Sequence, residues 1–386
     1  MTSPLSTFSF PTEIVFGVGA VAELAPRLEK MKCKRPLVVT DGGLLKTSSF
    51  EMLKQALGDP NGKIHWKLFS DVEPNPMENN VIEAANAYKK GECDLVIAFG
   101  GGSALDVGKA VRLLVKRPTL KLKSFDYHED WSGLAPCICI PTTAGTGSEV
   151  GRSSVITLVE SHRKTVIFHP ALLAKLVILD PKLTRDLPPK LTAATGMDAL
   201  THCIESFTSP TFHPMCDGIA LEGIHLIVDA LPHAFKNGKD LKARGNMLIA
   251  ASMGAIAFQK DLGATHSLAH PLSTICGLHH GLANAICLPH VMEFNSKHRP
   301  GLYHRVGLAC GLDVQQLTGA KADRKTIDFI KKLLAYLGIK GGLKTHGVKE
   351  NQLEALTEQA FADGCHRTNP VPVTPEDLKH LYEVAL

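Results

Sequence analysis

Short, nearly continuous apolar runs alternate with stretches of helical spacing through the first half of the chain. Residues 13–16 form one short apolar run, and residues 20–30 carry Val21, Leu24 and Leu28 on one helical face. Residues 36–40 read PLVVT and stop at Asp41-Gly42-Gly43, a turn signal. The same pattern then repeats, predicting a helix over 81–89, a strand over 94–99, a helix over 103–114, and strands over 137–141 and 176–180. Apolar strands without alternation, separated by helices, predict a parallel sheet covered on both faces.

After Leu187-Pro188-Pro189 the spacing becomes that of helices alone, over 192–207, 218–230, 242–258, 325–337 and 375–385. The expected organisation is an α/β domain over 1–187 and an all-α domain over 188–386, packed along a cleft. No apolar run reaches the roughly 18 residues of a membrane span, so no contact with a membrane is expected. Residues 1–12 lack the basic and apolar stretches of a secretion signal. With 42 Lys and Arg against 38 Asp and Glu, the net charge of +4 gives no basic footprint for nucleic acid. Ten cysteines without a CxxC pair read as reduced, mostly buried small hydrophobes, and the expected location is cytoplasmic. Cys137 and Cys139, in one apolar run, are expected to point to opposite faces of a strand.

Two glycine-rich turns carry the first candidate chemistry. Residues 94–109 read DLVIAFGGGSALDVGK: a strand, three glycines, Ser103 and a helix. A helix N-terminus offers unpaired N–H groups, and glycines let a pyrophosphate approach the backbone. The order differs from GxGxxG. The run PTTAGTGSE at 141–149 also follows an apolar strand, and in open α/β sheets ligands bind beyond the carboxyl ends of strands. Asp41, at another such end, suits either a ribose hydroxyl or a plain turn.

The second candidate is a metal centre. The chain holds 18 histidines, roughly twice average usage, and residues 266, 270, 279, 280 and 290 crowd one window. Asp198 and His202 stand four apart in a helical pattern, as do His266 and His270, with His280 following. Imidazole and carboxylate without thiolate suit Fe(II), Zn, Ni or Co, and not Ca or Mg. Four protein ligands with a substrate oxygen to admit favour Fe(II) over a closed tetrahedral Zn site.

Taken together, GGGSxxDxxK at 100–109, PTTAGTGSEV at 141–150, GMDALTHCIE at 196–205 and the run from HSLAHPL to HHGLANA over 266–285 resemble the group III, iron-dependent alcohol dehydrogenase family. The resemblance covers essentially the whole chain. It implies an N-terminal dinucleotide-binding domain and a C-terminal helical domain. It implies the ligand set Asp198, His202, His266 and His280, with His270 beside the nicotinamide and substrate. His270 is the candidate proton relay, with a ribose hydroxyl or water as the alternative, and His279 reads as structural. It further implies cofactor contacts from Asp41, Asn75, Gly101, Gly102, Ser103, Asp106, Thr142, Thr143, Thr146 and Lys164, and NAD over NADP through Asp41. Lewis-acid polarisation of an alcohol or carbonyl oxygen and hydride exchange with nicotinamide then follow. Many members of the family are homo-oligomers.

Departures from the commonest family pattern bear on the substrate. Arg152 follows the threonine loop, and Lys260 precedes the third ligand, where small neutral residues are common. Two added cations suit an anionic tail, Arg through paired hydrogen bonds. With Arg163-Lys164, Phe168-His169, DGIALEG at 217–223 and FQKDLG at 258–263, the chain is similar to the 4-hydroxybutyrate dehydrogenase branch. A short ω-hydroxy acid and its semialdehyde, or a phosphonate or sulfonate analogue, are therefore the expected small-molecule substrates. The competing reading is that Arg152 and Lys260 pair with nearby acids such as Glu149 and Asp261. Asn369-Pro370-Val371 departs where relatives often carry Arg after the proline. The rival activities are a general short-chain alcohol dehydrogenase, a hydroxyacid–oxoacid transhydrogenase and a dehydroquinate-synthase-like lyase. The last is disfavoured by the Asp198, His202, His266, His280 pattern.

Overall fold

The computed structural model describes residues 10, 12–58, 64–160 and 164–386. Eight strands are described: β1 (Glu13–Phe16), β2 (Pro36–Val39), β3 (Lys67–Phe69), β4 (Leu95–Gly100), β5 (Cys137–Pro141), β6 (Ser153–Thr157), β7 (Lys164–Phe168) and β8 (Leu176–Leu179). Six of them form one sheet in the order β1-β8-β5-β4-β2-β3, and every pairing is parallel. The inner strands β2, β4, β5 and β8 are buried at every residue, which is why their sequences run apolar without alternation. Helices α1 (Leu24–Lys30), α2 (Ser48–Leu57), α3 (Glu78–Lys90) and α4 (Gly102–Lys116) make the crossovers. Leu24, Leu28, Phe50, Leu53 and Leu57 pack with Val38, Ile97, Ile138 and Ile178 in one core.

The pairing register aligns Gly100 with Pro141, and Val39 with Ala98. The carboxyl ends of β2, β4 and β5 therefore lie side by side, each followed by a loop that the sequence marks as chemical. Strands β6 and β7 form a separate antiparallel hairpin. Cys137 and Cys139 point to the same face of β5, their sulfurs 3.9 Å apart. This corrects the expectation of opposite faces, because only adjacent strand residues alternate and residues two apart share a side.

The remaining elements are helical: α5 (Pro189–Thr208), α6 (Pro214–Lys236), α7 (Leu241–Ala257), α8 (Ala264–Cys276), α9 (His280–His298), α10 (His304–Ala309), α11 (Ala320–Tyr336), α12 (Leu353–Ala362) and α13 (Pro375–Ala385). Helices α6, α8 and α9 carry Pro232, Pro271 and Pro289 in their interiors, residues that ordinarily stop a helix. Leu268, Leu272, Ile286, Val291, Leu356, Leu378 and Leu381 join α8, α9, α12 and α13 in a second core.

Two compact units result. One holds Thr12 to Leu187 together with Gly238–Leu248, and the other holds Pro188–Asn237 and Ile249–Leu386. No described helix is long and apolar enough to cross a membrane.

Helices α5 and α9 meet at an unusually close crossing. A Cβ on Gly281 would stand 2.2 Å from the Ala194 carbonyl oxygen and 2.7 Å from its carbon. Backbone cannot swing aside as a side chain can, so the position demands glycine. Gly281→Ala is expected to cost about 1–3 kcal/mol of stability in denaturant unfolding; an unchanged midpoint would show that the helices are not in contact there.

Candidate metal and cofactor sites

In the helical unit, α5 presents Asp198 and His202 one turn apart, α8 presents His266 in its first turn, and α9 begins at His280. The Asp198 Oδ1 lies 3.9 Å from His202 Nε2, 3.9 Å from His266 Nε2 and 3.5 Å from His280 Nε2. An ion bound tetrahedrally by such groups spaces its donors about 3.4 Å apart. Asp198, His202 and His266 form a buried group able to hold an ion, and His280 stands at the same carboxylate oxygen. The His202 and His266 rings stack with centroids 4.7 Å apart. The donor set thus fits a divalent transition metal. Asn284 supports the same reading. Its Nδ2 donates to Asp198 Oδ1 at 2.7 Å and lies 3.2 Å from Nε2 of both His266 and His280, while its buried Oδ1 finds no donor among the described residues.

Carboxylates stand behind two of these histidines. Glu205 Oε2 accepts from His266 Nδ1 at 2.5 Å, and its Oε1 accepts from the Thr265 N–H at 2.7 Å. Burial opposes the Glu205 charge, but the bonds from His266 and Thr265 outweigh it and hold the carboxyl below its ordinary pKa. Asp363 Oδ2 accepts from His270 Nδ1 at 2.8 Å, while Oδ1 accepts from Ser267 Oγ and the Cys365 N–H. Here too burial is overcome, chiefly by the hydrogen bond from His270, and Asp363 sits well below the carboxylate range. His270 stacks on His280 with centroids 5.2 Å apart. His279 is exposed, one residue before α9.

The sequence reading missed Glu205, Asn284 and Asp363. Glu205 carried a usable signal: with Asp198 and His202 it stands at i, i+4 and i+7, one face of one helix. Asn284 likewise falls one turn after His280. Asp363 reaches His270 from 93 residues away, across an interval no local pattern spans.

In the α/β unit the cofactor candidates gather at adjacent strand ends. Helix α4 starts at Gly102 without a side-chain cap, leaving its first N–H groups for a ligand. The glycines also answer to the neighbouring loop. A Cβ on Gly102 would lie 2.7 Å from Thr146 Cγ2, and one on Gly101 3.5 Å from Thr143 Cγ2. Thr142 N donates to Gly100 O at 2.9 Å, so the two loops are tied together. Asp41 uses Oδ1 to accept from the N–H groups of Gly43 and Leu44, which is the turn reading, while Oδ2 faces the Gly100 position. Ser103 is half-buried in the first turn of α4. Asn75 adopts φ 56° beside Pro76, whose carbonyl accepts from Thr157 N; Lys164 is the strand partner of Thr157. Asn75 and Lys164 are thereby brought near one another.

Asp106, expected as a cofactor contact, is engaged within the protein. Its carboxylate accepts from Ser148 Oγ at 2.5 Å and Val155 N at 3.1 Å, and pairs with the fully buried Lys109 ammonium at 3.2 Å. Lys109 in turn donates to the carbonyls of Ser148 and Ser153. Asp106 therefore braces the threonine loop.

The two expected substrate cations divide. Lys260 is 2% exposed, and its ammonium is spent on Asp217 and the Phe207 carbonyl. The expectation of a free substrate clamp fails for Lys260, through a partner 43 residues upstream. Arg152 lies over the Phe168 ring at 5.3 Å and has no carboxylate partner among the described residues. Arg163 lies outside the described residues. Asn369 braces α8, accepting from Ala264 N and donating to Asn295 Oδ1 and the Val371 carbonyl.

Known proteins resemble this chain over nearly its whole length. Residues 11–181 match the model of the iron-containing alcohol dehydrogenase family, and residues 192–386 match its C-terminal model. Alcohol dehydrogenase 4 of Schizosaccharomyces pombe is 37% identical, covering 99% of this chain and 90% of that protein. The 4-hydroxybutyrate dehydrogenase of Cupriavidus necator is 36% identical, over 97% of this chain and 98% of that protein. Among solved structures, 1,3-propanediol oxidoreductase superposes with a TM-score of 0.94 at 32% identity, over 99% of this chain and 100% of that one. Sulfoacetaldehyde reductase from Bifidobacterium kashiwanohense, in complex with NAD+, gives a TM-score of 0.85 at 30% identity over 99% of both chains.

The Asp363–His270 bond generates a prediction. Asp363→Ala is expected to lower kcat by up to roughly 10²-fold while metal content by elemental analysis stays at the wild-type level. An unchanged kcat would remove His270 orientation from the account.

Proposed function

This chain belongs to the iron-containing alcohol dehydrogenase family and is an oxidoreductase acting on CH–OH groups, and we propose that it is an NAD-dependent enzyme interconverting a short anionic primary alcohol and its aldehyde. The representative pair is 4-hydroxybutyrate and succinate semialdehyde. The observation that carries the chemistry is the buried group of Asp198, His202 and His266, with the half-buried His280 at the same carboxylate oxygen and His270 stacked on His280.

Asp198, His202, His266 and His280 would hold the ion, with Fe(II) the assignment and Zn, Ni or Co compatible with the same donors. When bound, such an ion supplies Lewis acidity to an alcohol or carbonyl oxygen and lowers the pKa of the hydroxyl. His270, with Nδ1 engaged by Asp363, keeps Nε2 for taking the hydroxyl proton in oxidation and returning it in reduction. The open N-terminus of α4 and the glycine backbone before it take the cofactor pyrophosphate. The threonine loop lies against those glycines. Asp41 Oδ2 accepts from a ribose hydroxyl and repels a 2′-phosphate, which favours NAD over NADP.

The anionic substrate rests on Arg152, a guanidinium held on an aromatic face with no carboxylate among the described residues to neutralise it. A relative named 4-hydroxybutyrate dehydrogenase and a structural neighbour named sulfoacetaldehyde reductase support this reading, since both names denote short substrates with an anionic end. The general alcohol dehydrogenase reading predicts no preference for a charged tail.

NADH formation by anaerobically Fe(II)-loaded protein decides between them. At matched concentrations 4-hydroxybutyrate is expected to exceed 1-butanol by tenfold or more in kcat/KM, about 1.4 kcal/mol of transition-state discrimination. Arg152→Ala is expected to erase most of that margin, and prolonged chelation to abolish turnover of both alcohols. Equal rates for the two alcohols would return the enzyme to general alcohol oxidation. In a separate assay, Asp41→Ala is expected to narrow the preference for NAD over NADP by tenfold or more; an unaltered ratio would leave Asp41 as a turn residue only.

A further inference from the structure

Glu205 is buried on α5, three residues past His202, yet both of its oxygens act on α8. Oε1 accepts from the Thr265 N–H at 2.7 Å and Oε2 from His266 Nδ1 at 2.5 Å. An ionised carboxylate only accepts hydrogen bonds, so the proton between Glu205 and His266 sits on Nδ1, and in the neutral ring the lone pair is on Nε2. Nε2 is the nitrogen facing Asp198 Oδ1, at 3.9 Å. A plain helix cap would need the Thr265 contact alone. The second contact, to the one ring atom that decides the tautomer, does what a cap does not require.

We infer that Glu205 is a positioning residue of the metal site, fixing the tautomer and ring orientation of His266 so that Nε2 is presented to the ion. The inference rests on the proposed donor set. Its consequence is that Glu205 contributes to metal affinity through His266, although it touches no ion. Carboxylates behind ligating histidines typically govern affinity by 10–100-fold.

Glu205→Gln keeps a carbonyl for the Thr265 N–H and so preserves the cap, while removing the charge behind His266. Its Co(II) dissociation constant, from competition with a chromophoric chelator, is expected to rise by roughly 10–100-fold, with a shifted d–d absorption spectrum and an unchanged thermal melt of the metal-free protein. In a His266→Ala background the same substitution is expected to change Co(II) affinity by less than about twofold, since the coupling runs through that ring. Wild-type affinity and spectrum in Glu205→Gln would overturn the inference and leave a helix cap. Equal losses with and without His266 would overturn it as well. The Zn(II)-loaded wild-type protein offers a measurement independent of any variant: a slowly exchanging, downfield proton on His266 Nδ1 is expected by nuclear magnetic resonance, and its absence would overturn the tautomer assignment. Wild-type protein that binds no divalent ion would instead refute the donor set itself, a result distinguishable from the others because it precedes every substitution.

Discussion

A neutral imidazole can offer only one nitrogen as a lone pair, and the hydrogen bond at its other nitrogen decides which one. The helical unit is organised around that constraint. His266 and His270 stand one turn apart on α8, and each gives its Nδ1 proton to a buried or half-buried carboxylate, Glu205 from α5 and Asp363 just after α12. Both carboxylates are also tied to backbone N–H groups, of Thr265 and Cys365. A charge buried without such partners costs several kcal/mol. Paired this way, it becomes the device that aims a ring. Asn369 and Asn295 extend the bracing to the start of α8.

The α/β unit solves a different problem with the same economy of partners. A loop that must approach a dinucleotide closely has few side chains of its own to stiffen it. Asp106 and the buried Lys109 provide the stiffness from the helix side, reaching Ser148, Ser153 and Val155. The glycines of the first turn admit the threonines of the second, so the two loops form one surface at the ends of β4 and β5.

The α/β pattern was legible in the sequence wherever strands were buried on both sides, because such strands must be apolar throughout. Strand β3, three residues long with Lys67 and Leu68 exposed, carried no such mark. Helices α8 and α9 were hidden by Pro271 and Pro289, although His266 and His270 stood out by their i, i+4 spacing. The Asp198–His202 and His266–His270 pairs were readable from helical periodicity, whereas His280 joined the candidate donors through the family resemblance. Their supporting groups were readable only where the same helix supplied them, as with Glu205, and not where tertiary folding did, as with Asp363. Lys260 shows the converse failure. A cation near a ligand in sequence looked available, but a salt bridge formed across the α6 start consumed it.

The missing side chain at Gly281 reaches beyond stability. Ala194 lies one turn before Asp198 on α5, and Gly281 directly follows His280 on α9. Their backbone contact acts as a gauge block between the helices that carry Asp198 and His280, two of the proposed donors. Exchanging the donors themselves leaves that spacing untouched. A redesign for a larger ion would therefore have to begin at a residue that has no side chain at all.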